Sequence, residues 1–250
     1  MGICGKREEK MGLEQSRQHE LRLAVFDLDG TLAPLGRGIC PRDLQALRQL
    51  EARGVRIAVC SGKPTYYLCG FLRQAELRDP ILIGENGAVI QMGVELPPRN
   101  FYILPYPQQT GEALRFLRAQ LQTLLPDLWY QPNLVGLTPF PRSEADFDCI
   151  AALLERERAR LAGLDIYRHC DSFDIVPAGI SKRAGLEYLA QLTGIAAAQT
   201  AAVGDGVNDY PMFDYAGYSI GIGVAQPERV DCNVEHCGEA LALLHKLCSA

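Results

Sequence analysis

Leu23-Ala24-Val25-Phe26-Asp27-Leu28-Asp29-Gly30-Thr31-Leu32 is the stretch on which the fold of this chain turns. Four apolar residues in a row, with no polar alternation, mark a strand buried on both faces of a parallel sheet. The run stops on a carboxylate. Working outward, Pro41 opens a helix in which Leu44, Leu47 and Leu50 recur at helical spacing before Gly54 closes it. Ile57-Ala58-Val59-Cys60 is a second apolar strand, a helical stretch through Leu68, Phe71 and Leu72 follows, and Ile81-Leu82-Ile83-Gly84 is a third. Strand, helix, strand, helix, strand predicts an α/β fold with a doubly wound, mainly parallel sheet.

Residues 91–177 read differently. Long amphipathic helices over 112–124 and 143–161 alternate with short strand-like pieces at 128–130, 166–168 and 173–176, and prolines punctuate the segment. That order predicts an inserted α+β domain with its own antiparallel sheet, in which Leu114, Leu117 and Leu121 are core. The α/β rhythm then resumes: a helix over 182–192, a strand Thr200-Ala201-Ala202-Val203-Gly204 ending at Asp205, a helical piece over 208–215, a strand over 218–222 and a last helix over 239–248. The expected organisation is a polar, frayed tail over 1–21, a core built from 22–90 and 178–250, and an inserted cap over 91–177.

Composition narrows the function. The 250 residues carry 25 Lys plus Arg against 30 Asp plus Glu, a formal net charge of −5. A mildly acidic chain lacks the basic excess that neutralises many phosphates, so nucleic acid is not an expected partner. No uncharged apolar run approaches the roughly 18 residues that span a bilayer, so no membrane partner is expected either. The nine cysteines include no C-x-x-C pair, and Cys232, His236 and Cys237 lack the fourth ligand and spacing of a closed zinc site. Reduced thiols and a cytoplasmic protein are the reading.

The chemistry lies at strand ends, where open α/β sheets bind ligands. Two strands end in carboxylates, Asp27 and Asp205, with Asp29 and Asp209 in the turns beyond. Four carboxylates converging on one crevice repel one another, and a divalent cation relieves them. Oxygen-only ligands favour Mg²⁺ over zinc or copper. Lys182 adds a second signal: an ammonium in a first helical turn opposes the helix dipole, at a cost of about 0.3–1 kcal/mol, which neighbouring anions offset.

Asp27-Leu28-Asp29-Gly30-Thr31 resembles the first motif, D-x-D-G-T, of the haloacid dehalogenase superfamily. Cys60-Ser61-Gly62-Lys63 is similar to the second motif, Ile180-Ser181-Lys182 to the third, and Gly204-Asp205-Gly206-Val207-Asn208-Asp209 to the fourth, G-D-G-x-N-D. Glu85-Asn86-Gly87-Ala88 matches a segment of the Cof-like branch, which holds sugar phosphatases, sucrose-phosphate phosphatases and archaeal-type phosphoglycolate phosphatases. The resemblance covers about residues 22–230 and implies a Rossmann-like core with an inserted cap. It implies Asp27 as nucleophile forming an aspartyl-phosphate, with Asp29 as general acid and base. Ser61, Gly62, Lys182 and Asn208 would bind the phosphoryl group, Asn208 alternatively holding Lys182. Asp27, Asp29 (through its backbone carbonyl), Asp205 and Asp209 would hold Mg²⁺. Lys63 stands where the branch more often has Arg.

The expected activity is a Mg²⁺-dependent phosphomonoesterase acting on a small phosphorylated metabolite, such as a sugar phosphate or phosphoglycolate, as a monomer or homodimer. A phosphomutase differs in isomerising its substrate rather than releasing phosphate. A non-enzymatic phospho-receiver module lacks the work assigned to Asp29, and an ion-pumping ATPase needs membrane helices.

Overall fold

A computed structural model of the chain describes residues 20–248. The expected frayed tail therefore falls, up to residue 19, outside the described residues. Among the described residues eight strands form one sheet, in the spatial order Cys232–Val234, Tyr218–Ile222, Thr200–Gly204, Leu23–Phe26, Arg56–Cys60, Ile81–Gly84, Val89–Met92 and Asn100–Ile103. Its centre is parallel: β1 (Leu23–Phe26) lies between β2 (Arg56–Cys60) and β10 (Thr200–Gly204), flanked by β3 (Ile81–Gly84), β11 (Tyr218–Ile222) and β12 (Cys232–Val234). The α/β, doubly wound, mainly parallel sheet expected from the sequence is the one observed.

The continuous apolar runs arise because both faces are covered. Ala24 and Phe26 enter one apolar layer with Leu47 and Leu50 of α1 (Pro41–Ala52), Leu68 of α2 (Thr65–Leu72) and Leu241 of α7 (Cys237–Leu247). Leu23 and Val25 enter the opposite layer with Leu186 and Leu189 of α5 (Lys182–Thr193) and Met212 of α6 (Tyr210–Phe213). Alternate residues of one strand thus serve two cores, the two-residue period of a strand at work.

The sheet runs further than the sequence suggests. β4 (Val89–Met92) and β5 (Asn100–Ile103) extend it with antiparallel pairing, so residues to 103, which the sequence reading gave to the insertion, add strands to the main sheet. β5 is an edge strand with Phe101 and Ile103 exposed, and so carries no buried-strand pattern.

Between β5 and α5 lie α3 (Gln108–Leu124), the hairpin β6 (Trp129–Gln131)–β7 (Thr138–Phe140), α4 (Glu144–Arg156) and the hairpin β8 (Leu164–Arg168)–β9 (Phe173–Pro177). Leu137 and Ile175 exchange backbone hydrogen bonds of 2.9 and 3.0 Å, joining the hairpins. Leu114, Leu117 and Leu121 pack with Ile150, Leu153 and Ile175 in a third apolar cluster, as expected. Among the described residues no helix is long and apolar enough to cross a membrane.

A tight contact sets where α5 begins. Ser181 caps the helix, its Oγ accepting Ala184 N–H at 3.2 Å. The turn Glu85-Asn86-Gly87 has positive φ at all three residues, and a Cβ on Gly87 would lie 2.2 Å from Ser181 O. From the other side, a Cβ on Gly185 would meet Gly87 Cα at 2.8 Å. Helix and turn touch backbone to backbone, and only glycine permits that distance.

Gly70, inside α2, has nothing within 4 Å of an added Cβ. Gly70→Ala should therefore gain about 1 kcal/mol of helix propensity. Gly185→Ala gains the same but forces backbone apart, at about 1–3 kcal/mol, so strain should win. Thermal unfolding is expected to show a higher Tm for Gly70→Ala and a lower one for Gly185→Ala, by about 2–4 °C per kcal/mol.

Candidate active site

β1 and β10 run side by side in register, Phe26 opposite Val203, and Asp27 N–H donates to Val203 O at 2.9 Å. The chain moves outward from β1 in one direction through β2 and β3, and in the other from β10 through β11 and β12. The crevice between β1 and β10 is the switch point of the sheet, and Asp27 and Asp205 leave the strands at its mouth.

Lys182 ties the crevice together. Its side chain is 1% exposed, and Nζ lies 2.5 Å from both Asp27 Oδ1 and Asp209 Oδ1. A solvated surface lysine is therefore excluded. Burial works against its charge, but Asp209 and Asp27 outweigh it and hold the ammonium well above its ordinary pKa. Asp27 is pushed up to about 6, by burial first, against the pull of Lys182 and with further upward pressure from Asp209 and Asp205. Asp205 is raised too, by burial and by Asp209, although Thr31 Oγ1 donates to its Oδ1 at 2.6 Å.

The turns are shaped to bring these groups close. Asp209 Oδ2 accepts both Asp205 N–H and Gly206 N–H at 2.9 Å, so both its oxygens are engaged. A Cβ on Gly204 would lie 2.5 Å from that carboxylate, and one on Gly30 (φ +89°) 2.3 Å from Asp205 Oδ2. Gly30 is required twice, by its backbone and by its neighbour.

Carboxylate oxygens of Asp27, Asp205 and Asp209 lie within 4.8 Å of one another. With Lys182 they leave two negative charges, and an oxygen-only donor set of that charge fits a hard divalent cation. Asp27 and Asp205 each use Oδ1 for a protein hydrogen bond, whereas Asp209 uses both oxygens. The Asp29 carboxylate stands outside this cluster and pairs with Lys63 Nζ at 3.6 Å.

Ser61 follows β2, buried, with Oγ accepting Lys63 N–H at 3.2 Å. Gly62 lies beside Asn86 and Asp174, each with side-chain atoms 3.4 Å from where its Cβ would stand. Asn208 is exposed. Lys182 donates its hydrogen bonds to Asp27 and Asp209, and not to Asn208, because the turn points the Asp209 side chain inward.

Several residues here had not been singled out for a role. Glu85 is 2% exposed, and its carboxylate accepts Leu134, Val135 and Gly136 N–H at 2.7, 2.8 and 2.9 Å. Asp174 in β9 accepts Thr138 Oγ1 and Asn86 Nδ2, both at 2.8 Å, and faces His169 Nε2 at 3.3 Å. A carboxylate inside the apolar strand Phe173–Pro177 is the available signal for Asp174; Glu85 opens the Glu85-Asn86-Gly87-Ala88 segment, but nothing local shows that its carboxylate binds backbone N–H groups 49–51 residues away.

Burial pushes the Asp174 carboxyl up, but hydrogen bonds from His169, Thr138 and Asn86 hold it below its ordinary value. The bond to Asp174 raises His169 above 6.5, against partial burial and Lys63. A raised histidine adds stability that is complete below pH 6.5 and lost as pH rises through its folded value; a lowered carboxyl adds stability lost only in acid, below about pH 4. His169→Gln should therefore lower Tm more at pH 6 than at pH 8.5. The gap should be about 1–3 °C because the pair is partly solvated, and scans at the two pH values check it.

Comparison with known proteins places the chain in a family and a fold. The family model described as haloacid dehalogenase-like hydrolase matches residues 24–97 and 140–233. A phosphoglycolate phosphatase of Archaeoglobus fulgidus is 26% identical over 201 residues, covering 80% of this chain and 83% of that protein. An HMP-PP phosphatase of Yersinia enterocolitica is 26% identical over 235 residues, covering 83% and 85%. The crystal structure of a haloacid dehalogenase-like hydrolase from Bacteroides thetaiotaomicron superposes with a TM-score of 0.69 at 20% identity, covering 91% of this chain and all of that one. Since the matched segments take in Asp27, Lys182, Asp205 and Asp209 and most of the chain, this protein belongs to the haloacid dehalogenase-like hydrolases.

Proposed function

We propose that this hydrolase is a Mg²⁺-dependent phosphatase that cleaves a small phosphomonoester through an aspartyl-phosphate on Asp27. The observation that carries the reading is the buried Lys182 ammonium bonded to Asp27 at the end of β1, beside two further carboxylates. Both curated relatives named above are phosphatases, which supports the reaction class.

In this reading Asp27 attacks phosphorus, the ester P–O bond breaks, and Asp29 donates its proton to the departing oxygen. Asp29 then takes a proton from water, which attacks the acyl phosphate and regenerates Asp27. Lys63, paired with Asp29, holds that carboxyl beside the nucleophile's turn. Ser61 Oγ, the Gly62 N–H and Lys182 Nζ would receive the phosphoryl oxygens. Asn208, exposed in the turn that follows Asp205, would be a further phosphoryl ligand. Asp27 and Asp205, with the Asp29 carbonyl and with Asp209 directly or through water, are the residues to hold Mg²⁺. When bound, the metal supplies positive charge that offsets the carboxylates and the phosphoryl oxygens.

The elements from α3 to β9 are proposed as a cap, beginning beyond β5 and closing at Pro177, on a core formed by the sheet. A cap of this size suits a phosphorylated metabolite, with a sugar phosphate or a phosphoglycolate-like acid as the candidates. All eight described cysteines are free, which supports a reducing, cytoplasmic setting, and the protein is proposed to act as a monomer or homodimer.

Asp27→Asn should keep the fold and lower phosphate release by about 10⁴-fold or more, because an amide of the same shape is a poor nucleophile. Retention of more than a few per cent of wild-type turnover by the purified variant would remove Asp27 as nucleophile. Exhaustive EDTA treatment should stop phosphate release and Mg²⁺ restore it, with Ca²⁺ a poor substitute because its coordination is looser. Full activity of the chelated protein would exclude the metal.

A further inference from the structure

A chain of side-chain hydrogen bonds leaves one carbonyl of the Ser61–Gly62 loop and returns to the next. Asn86 N–H donates to Ser61 O at 3.0 Å, and Asn86 Nδ2 to Asp174 Oδ2 at 2.8 Å. Thr138 Oγ1 donates to Asp174 Oδ1 at 2.8 Å and accepts Asn133 Nδ2 at 2.9 Å. Gln131 Nε2 donates to Asn133 Oδ1 at 2.7 Å and to Gly62 O at 2.9 Å, closing the circuit. Gln131, Thr138 and Ser61 are all buried, so each missing link would leave a desolvated polar group. Gln131, Asn133 and Thr138 lie in the stretch that the family model leaves unmatched.

We propose that Gln131 is a positioning residue for the phosphate-binding loop: by holding the Gly62 carbonyl it fixes the Gly62–Lys63 peptide, and through it the Ser61 hydroxyl. The peptide is pinned at both ends, its carbonyl by Gln131 and its N–H by Ser61 Oγ. Because Ser61 Oγ accepts that N–H, its own proton is left for a bound oxyanion. The inference rests on Ser61 and Gly62 binding phosphate. It assigns the β6–β7 hairpin an effect on the phosphoryl group itself, apart from any contact with the leaving group.

The test compares Mg²⁺-loaded wild type, Gln131→Met, Asn133→Ala and, as a control on the same strand, Trp129→Leu. The readouts are KM and kcat for p-nitrophenyl phosphate, the inhibition constant of inorganic phosphate, and Tm. Gln131→Met should raise the phosphate inhibition constant and the KM by about five- to tenfold, the worth of one hydrogen bond. Asn133→Ala should act in the same direction more weakly, and Trp129→Leu should leave both constants unchanged. A merely structural glutamine would lower Tm and leave phosphate inhibition as it was, and that result in either folded variant overturns the proposal. An equal change in Trp129→Leu overturns it too. Wild type that releases no phosphate from any ester sinks the phosphatase reading instead, so the two failures are distinct.

Discussion

The ammonium of Lys182 is the constraint on which the site depends. Asp27 ends β1 and Asp209 follows β10, and both are desolvated. Left alone, two buried carboxylates at this distance would repel each other or take up protons. One ammonium at 2.5 Å from each sets an opposite charge between them, at the cost of burying a lysine almost completely. Breaking such a pair leaves an uncompensated buried charge, typically worth about 3–5 kcal/mol. The arrangement is therefore electrostatic before it is catalytic.

Everything around that ammonium is spacing. Lys182 can reach Asp27 because α5 starts where the Glu85–Gly87 turn lets it, backbone against backbone at Gly87 and Gly185. Asp205 and Asp209 can approach because Gly30 and Gly204 carry no Cβ. A larger residue at any of these positions would separate charges whose interaction falls with distance, and the site would lose definition before the sheet lost stability.

The smaller α+β layer is fastened to the sheet by buried polar groups as well as by apolar contact, Val135 and Val176 entering the apolar layer of Ile83, Val89 and Leu186. Glu85 receives three successive backbone N–H groups from Leu134 to Gly136, the kind of concave amide array that suits an anion. Asn86 reaches Asp174 one residue further on. Both anchors spring from the turn that also seats α5, so one short segment with positive φ locates the helix bearing Lys182 and the hairpins above it.

The local pattern of the sequence determined the α/β architecture, because a strand buried on both faces has to be apolar without interruption, and it has to stop where a carboxylate begins. It placed Asp27 and Asp205 at strand ends and Lys182 at a helix start for the same reason. It did not reveal β4 and β5 as part of the main sheet: Gln91 interrupts the short apolar run of the buried β4, and β5, an edge strand exposed at three of its four residues, leaves no apolar run at all. Only the tertiary structure decided which polar groups pair: Lys182 and Asp27 are 155 residues apart, and Gln131 and Gly62 are 69. It also gave Asp209 to Lys182 where Asn208 had been considered, and put Glu85 to structural use. Periodicity records how each residue meets its nearest layer, whereas the partner of a buried polar group is set by which distant backbone the packing brings within three ångströms.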